Sequence, residues 1–233
     1  MADLKIMSAG AVKTMVAALG AEYETASGDK LDFNFGTAGS LRERVEKGEA
    51  ADLVVLSQSA IASLGKAGLV DPSTARDLGR TVTGIIVRDG APAPDVSTPE
   101  AFTQALRDAA SVAYTDPKAG GSGGIMFVAM LERLGLAEVV IAKAVLCKGG
   151  FDVSEKVAGG KAAIGTTFIS EALPVKGLKI LGPLPGELNT TNTYSAAVYA
   201  KSANRDAALA VLAALTDPAT RGRWTAAGLE PAF

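Results

Sequence analysis

The feature that most constrains this chain is a regular alternation of strand-like and helix-like patterns from its first residues. Leu4 to Met7 is a short apolar run that ends at Ser8-Ala9-Gly10. Ala11 to Ala26 then follows helical spacing, with Val12, Met15, Val16, Leu19 and Tyr23 on one face. Leu31-Asp32-Phe33-Asn34-Phe35 alternates strictly, the pattern of a half-buried strand. After Gly36-Thr37-Ala38-Gly39-Ser40 a polar helix runs to Lys47. Leu53-Val54-Val55-Leu56 is uninterrupted apolar sequence, as expected of a strand covered on both faces, and Ala60 to Ala67 is a short helix. The order β-α-β-α-β implies parallel strands with helices on the sheet faces.

The pattern resumes further along. Thr81 to Arg88 reads as a strand, and Pro92 and Pro94 sit in the following loop. Ser97-Thr98-Pro99-Glu100 is a helix start, with a cap residue, a proline in the first turn and an early acid. Val112 to Thr115 is a strand that runs into Asp116-Pro117-Lys118-Ala119-Gly120-Gly121-Ser122-Gly123-Gly124, and Ile125 to Leu134 is a helix. Ala162 to Gly165 is a strand, followed by a turn at Thr166-Thr167 and a short helix to Leu173. Leu178 to Leu181 and Tyr194 to Ala200 are strands, and Arg205 to Leu215 and Pro218 to Ala227 are closing helices. This predicts an α/β protein of two lobes, each a mostly parallel sheet flanked by helices: residues 1–83 with 193–233, and residues 84–192. The chain crosses near Thr83 and returns near Thr193 through a two-strand hinge, with a ligand cleft between the lobes.

Composition removes several chemistries. The chain has no histidine, which excludes His-based triads, His metal sites and the usual near-neutral proton shuttle. Cys147 is the only cysteine, so there is no intrachain disulfide and no cysteine-cluster metal site. A net charge of −2 argues against a nucleic-acid binder with a broad basic surface. No stretch of about 18 apolar residues is present to span a membrane. Met1-Ala2-Asp3 leads directly into the first strand without an export signal, so the expected location is cytoplasmic if Met1 is the native start and periplasmic if a signal was removed.

The candidate chemistry lies in four strand-to-helix turns: Ser8-Ala9-Gly10, Thr37-Ala38-Gly39-Ser40, Gly120 to Gly124, and Gly165-Thr166-Thr167. A helix start has unpaired N–H groups and a partial positive charge. Small residues let a ligand approach the backbone, and hydroxyls add donors, so each turn is a candidate anion site. Each also has a purely structural reading, since Ser and Thr cap helices and Ser40-Leu41-Arg42-Glu43 fits an S-x-x-E capping box. Lys13, Arg42 and Arg44 fall early in their helices, where an anionic ligand would offset the unfavourable dipole; the alternative is a solvated surface cation. Arg88 and Lys118 lie near the expected cleft. The Gly-rich loop at Gly120 is neither a P-loop nor a G-x-G-x-x-G turn, so no nucleotide cofactor is expected, and no metal. Tyr194 stands where the chain returns between lobes and is either a core tyrosine or a ligand hydrogen-bond partner.

Ser8-Ala9-Gly10-Ala11, then Gly36-Thr37-Ala38-Gly39-Ser40 with Gly48-Glu49-Ala50-Ala51-Asp52-Leu53-Val54-Val55, resembles the molybdate-binding periplasmic protein family, the solute receptors of molybdate ABC transporters. Asp116-Pro117 before a glycine-rich turn, Ala162-Ala163-Ile164-Gly165, and the ending Asp217-Pro218 through Gly228-Leu229 match the same layout. The resemblance implies a type II periplasmic-binding-protein fold that holds an oxyanion in its cleft. Carried over by position, the ligand contacts would be Ser8 with Gly10 and Ala11, Ser40 or Thr37 with Arg42, the turn at Ser122 and Gly123, the backbone after Gly165 at Thr166, and Tyr194. A transporter permease is the implied partner of an exported form. The stretch from Leu173-Pro174-Val175 to Gly182-Pro183-Leu184-Pro185 resembles a divergent subgroup that looks similar to aconitate isomerase.

Two expectations follow. In one, the protein binds a small oxyanion or carboxylate with neutral donors and helix termini, and no catalytic group is needed. In the other, it is a cytosolic isomerase that moves a proton within a small unsaturated polycarboxylate. Without histidine the proton carrier would be a lysine, a tyrosine, a carboxylate or a hydroxyl, with Lys13, Lys118 and Tyr194 the candidates by position and Arg42 or Arg88 pairing a substrate carboxylate.

Overall fold

The computed structural model describes residues 1–233. The chain forms two compact units, Met1–Thr81 with Asn192–Phe233, and Val82–Thr191. It passes from one to the other twice.

The first unit begins β1 (Asp3–Ala9), a short 3-10 turn (Gly10–Val12), α1 (Lys13–Ser27), β2 (Lys30–Gly36), α2 (Ala38–Glu46), β3 (Leu53–Ser57) and α3 (Gln58–Lys66). β4 (Arg76–Arg88) then runs on into the second unit. There follow α4 (Pro99–Asp108), β5 (Val112–Thr115), α5 (Ser122–Arg133), α6 (Ala137–Ile141), β6 (Ala144–Cys147), α7 (Gly150–Ala158), β7 (Ile164–Phe168), α8 (Ile169–Ala172) and β8 (Leu178–Pro183). The chain returns through β9 (Thr191–Val198) and closes the first unit with α9 (Arg205–Leu215), α10 (Arg221–Ala226) and β10 (Leu229–Pro231).

In the first unit β1 lies between β2 and β3, all parallel, so their carboxyl ends at Ala9, Gly36 and Ser57 share one edge. β9 pairs antiparallel with β3, setting Tyr194 opposite Ser57, and β10 pairs antiparallel with β4. Every residue of β3 is buried, as its apolar run predicts. The buried Asp52 is fully engaged: its carboxylate accepts from Lys5 N at 2.8 Å and Ser202 Oγ at 2.6 Å. That satisfaction is what makes a buried carboxylate tolerable.

In the second unit β5 lies between β6 and β7, all parallel, while β4 runs antiparallel to both β7 and β8. Alternate residues of these strands face opposite cores. Ile85 and Val87 join Phe102, Leu106, Tyr114, Phe127 and Leu131 on one face. Ile86 joins Ala113, Cys147, Val153 and Val157 on the other. Burial of each large apolar side chain contributes about 1.5–3 kcal/mol. Each sheet is therefore mixed: a parallel centre with antiparallel strands added.

Several elements depart from the expectations. Gly165, Thr166 and Thr167 lie inside β7 rather than in a turn, because β-branched threonines suit the pleat and pairing with β4 continues to Thr83 opposite Phe168. The helix after this strand starts at Ile169. Ser8 likewise belongs to β1, with the turn beginning at Gly10. β6, α6, α7 and β10 were not anticipated.

Candidate functional site

On the carboxyl edge of the first unit, Ser8 is completely buried, and its hydroxyl reaches only the neighbouring Ala9 carbonyl, at 3.4 Å. Gly10 and the buried Ala11 form the tight turn that follows. Lys13 opens α1, where the dipole disfavours a cation, and its ammonium lies 5.2 Å above the Phe35 ring centroid. The ring face supplies part of the attraction that the helix end does not.

The start of α2 is held by a hydroxyl pair. Thr37 is the N-cap: Ser40 N donates to its Oγ1 at 3.2 Å, Thr37 Oγ1 donates to Ser40 Oγ at 2.9 Å, and Ser40 Oγ donates to the Thr37 carbonyl at 3.1 Å. The capping box expected from Ser40 to Glu43 does not form, because Ser40 already lies inside the helix and Glu43 pairs with Lys47 one turn on, at 2.6 Å. Arg42 pairs with Glu46 at 3.4 Å on the exposed helix face, and Arg44 reaches Glu49 at 2.7 Å and Asn34 at 2.9 Å. Tyr194 is buried on β9.

Beside the start of α3, Asp77 accepts both Gln58 amide contacts, at 3.1 and 2.9 Å, and the Ser195 hydroxyl at 2.6 Å. These residues border a hollow of about 460 Å³ walled by Ile61, Ala62 and Phe233. None of the residues expected to hold the ligand lines it.

On the carboxyl edge of the second unit, Asp116 caps a one-turn 3-10 segment by accepting from Lys118 N at 2.9 Å, and Lys118 itself points to solvent. Gly120 takes the left-handed conformation, φ +72°, that turns the chain into α5. No side chain caps α5, so the amides of Ser122, Gly123 and Gly124 open its first turn unclaimed by a cap. Gly124 is required: a Cβ there would overlap the Thr115 carbonyl, and the close approach seats the helix on the end of β5. Among the expected ligand turns only the start of α2 carries a side-chain cap; the twelve-residue α5 does not.

Thr166 and Thr167 are buried, and neither hydroxyl finds a partner in hydrogen-bond geometry. Just beyond them lies a residue that sequence reasoning missed. Glu171 is buried, and its carboxyl packs against the backbone of Gly150 at the start of α7. Burial pushes the carboxyl up to about 7, against the Gly150 N–H and the neighbouring Thr167 hydroxyl, which favour the ionised form. The visible signal was an acid in the first turn of a helix directly after a strand. Its burial depends on α7, which the sequence pattern does not reveal.

Chemically, these two edges offer hydroxyls and backbone amides rather than a cluster of cations. Such donors suit a small anion whose charge is shared over several oxygens. No group of three or more carboxylate or cysteine side chains is gathered as metal ligands. No helix is long and apolar enough to cross a membrane.

Comparison with known proteins identifies the family and the fold. The family described as "Bacterial extracellular solute-binding protein" matches residues 4–230. Aconitate isomerase from Pseudomonas sp is 33% identical over 233 residues, covering 98% of this chain and 87% of that protein. The periplasmic molybdate-binding protein of Azotobacter vinelandii has the same fold, with TM-score 0.83 at 16% identity, covering 99% of this chain and 100% of that one. The sulfate-binding protein SubI of Mycobacterium tuberculosis follows with TM-score 0.79 at 18% identity, covering 99% of this chain and 87% of the other. Likeness at these identities establishes the fold and leaves the ligand to be argued from the site.

Proposed function

This chain belongs to the bacterial extracellular solute-binding protein family, and on that premise we propose that it binds a small polycarboxylate of the aconitate class. The observation that carries the choice of carboxylate over tetrahedral oxyanion is the 33% identity with an aconitate isomerase along 98% of the chain. The uncapped first turn of α5 is compatible with an anion of either kind, since consecutive amides at a helix start suit carboxylates and tetrahedral oxyanions alike. In this reading Ser8, Gly10, Ala11, Thr37, Ser40, Arg42 and Tyr194 of the first unit contact the ligand. Ser122, Gly123, Gly165 and Thr166 do so from the second.

The same relative favours a second reading, in which the bound polycarboxylate is isomerised. A base takes a proton from the methylene carbon next to the double bond, the electron pair delocalises into the adjacent carboxylate, and the proton returns to the far alkene carbon. Charge developing on that carboxylate would be met by backbone amides. Lys13, Lys118 and Tyr194 remain the proposed proton carriers. A transporter permease is the proposed partner if the protein works as a receptor.

Thermal-shift titration separates these readings, because a ligand that binds only the folded state raises its stability, by about 2.7 kcal/mol at a hundredfold excess over Kd. Citrate and cis- or trans-aconitate are expected to stabilise the protein more than molybdate or sulfate. Stabilisation by molybdate alone overturns the carboxylate reading. Proton NMR of cis-aconitate with the protein then decides between receptor and isomerase, according to whether the trans isomer accumulates.

A further inference from the structure

We propose that Glu171 is a proton-operated latch that fastens the β6–α7 turn to the β7–α8 turn in the second unit. Two contacts join the segments: the Glu171 carboxyl packs against the Gly150 backbone, and the single Ser154 hydroxyl is shared between the Glu171 carbonyl at 3.1 Å and, within α7, the Gly150 carbonyl at 3.0 Å. The carboxyl is nested against the bare backbone of Gly150. A Cβ there would overlap both Glu171 Oε2 and Thr167 Oγ1. The cradle is therefore built for this one side chain.

What the cradle lacks is a cation. The charged side chains on the elements packed around α8 are Asp152, Glu155 and Lys156 on α7, Lys148 just before it, and Lys179 on β8. Asp152 is taken by Lys148 N at 2.8 Å and by Lys156 at 3.2 Å, and no charged group bears on the Glu171 carboxyl. The nearby Cys147 thiol is itself held protonated by burial, pushed up to about 11. Protonated, Glu171 fills the cradle at no electrostatic cost. Ionised, it is a buried charge with no counter-ion, faced only by the Gly150 N–H and the Thr167 hydroxyl, a state relieved most directly by letting water into the turn. Rising pH through neutrality thus loosens the latch. The device operates whatever ligand the protein takes.

Amide hydrogen exchange on the full chain tests it. After correction for intrinsic chemistry, exchange of segments 147–151 and 166–172 is expected to speed up about fivefold or more between about pH 6 and pH 8 in the wild type, and to stay level in Glu171→Gln. Gly150→Ala, which cannot form the cradle, is expected to exchange fast at both values. Equal pH dependence in wild type and Glu171→Gln, or none in either, overturns the proposal. A titration of wild-type protein carrying δ-13C glutamate needs no variant. One carboxyl carbon with a midpoint between about pH 6 and pH 8 supports the latch, and titration of every glutamate below about pH 5.5 overturns it.

Discussion

Gly124 stands against the carbonyl oxygen of Thr115, so closely that the smallest side chain would overlap it. The first turn of α5 can sit on the end of β5 only while this position is bare. Gly124→Ala is expected to push the helix start away from the strand. The overpacking should cost about 1–3 kcal/mol in urea unfolding. Ligand affinity should fall as well, since the proposed contacts at Ser122 and Gly123 move with the turn. An unchanged unfolding midpoint would show that the helix accommodates the methyl group without shifting.

The serines and Thr37 separate binding from stability. Ser8→Ala removes a buried hydroxyl whose only contact is a long one to Ala9, so folding stability should hold, while binding of the proposed ligand weakens by about 1–2 kcal/mol. Ser40→Ala should weaken binding by a similar amount. Thr37→Ala deletes the α2 cap and should lower stability by about 1 kcal/mol besides. Calorimetric titration with trans-aconitate, paired with unfolding curves, reads both. Full affinity in Ser8→Ala and Ser40→Ala together would remove this edge from the binding site.

Glu171 makes stability depend on pH in an unusual direction for a carboxylate. Its folded-state value lies at about 7, above the ordinary 4.5 of the unfolded chain. Between those values the folded state holds the proton more tightly, so this group's contribution declines as pH rises through that window and is flat above it. The loss is of order 3 kcal/mol. Unfolding free energies of Glu171→Gln should lack this decline, making the variant the more stable form at about pH 8. Parallel curves for the two proteins would rule out the assignment.

Asp71 acts in the opposite sense. Hydrogen bonds from Ser73, then the Arg205 guanidinium at 2.6 Å, hold its carboxyl down at about 2. A depressed value supports the fold at neutral pH, and that support fades as pH falls from about 4 toward 2. Asp71→Ala should therefore unfold at a higher pH in an acid titration followed by circular dichroism. An unmoved acid midpoint would mean that solvent screening cancels the pair.

The parts of the fold legible in the sequence are those whose patterns are local. β3 is covered on both faces, so its apolar run is continuous; α1 and α4 carry a cap, a proline or a regular stripe. β6 is a short edge strand whose first two residues are only partly buried and whose third, Leu146, is exposed, and α7 starts at two glycines, which read as loop. Thr166 and Thr167 resemble turn residues until the pairing of β7 with β4 is known. The donors of the candidate site share this divide. Hydroxyls and glycines at helix starts can be recognised in a sequence. Which of them already serve a cap, as Thr37 and Ser40 do, depends on geometry. The burial of Glu171 is set by a helix whose start lies 21 residues earlier, and no local pattern encodes it.

The division of the chain also has a consequence for biosynthesis. The first unit is discontinuous, since β9, the neighbour of β3, lies beyond all of residues 82–191. The second unit is one uninterrupted stretch. On a ribosome, the inner segment can close its own core while the outer sheet still lacks a strand, leaving the flank of β3 open until residues 191–198 emerge. Maturation of the outer unit is therefore gated by translation of its last forty-odd residues, and a chaperone would find its work there.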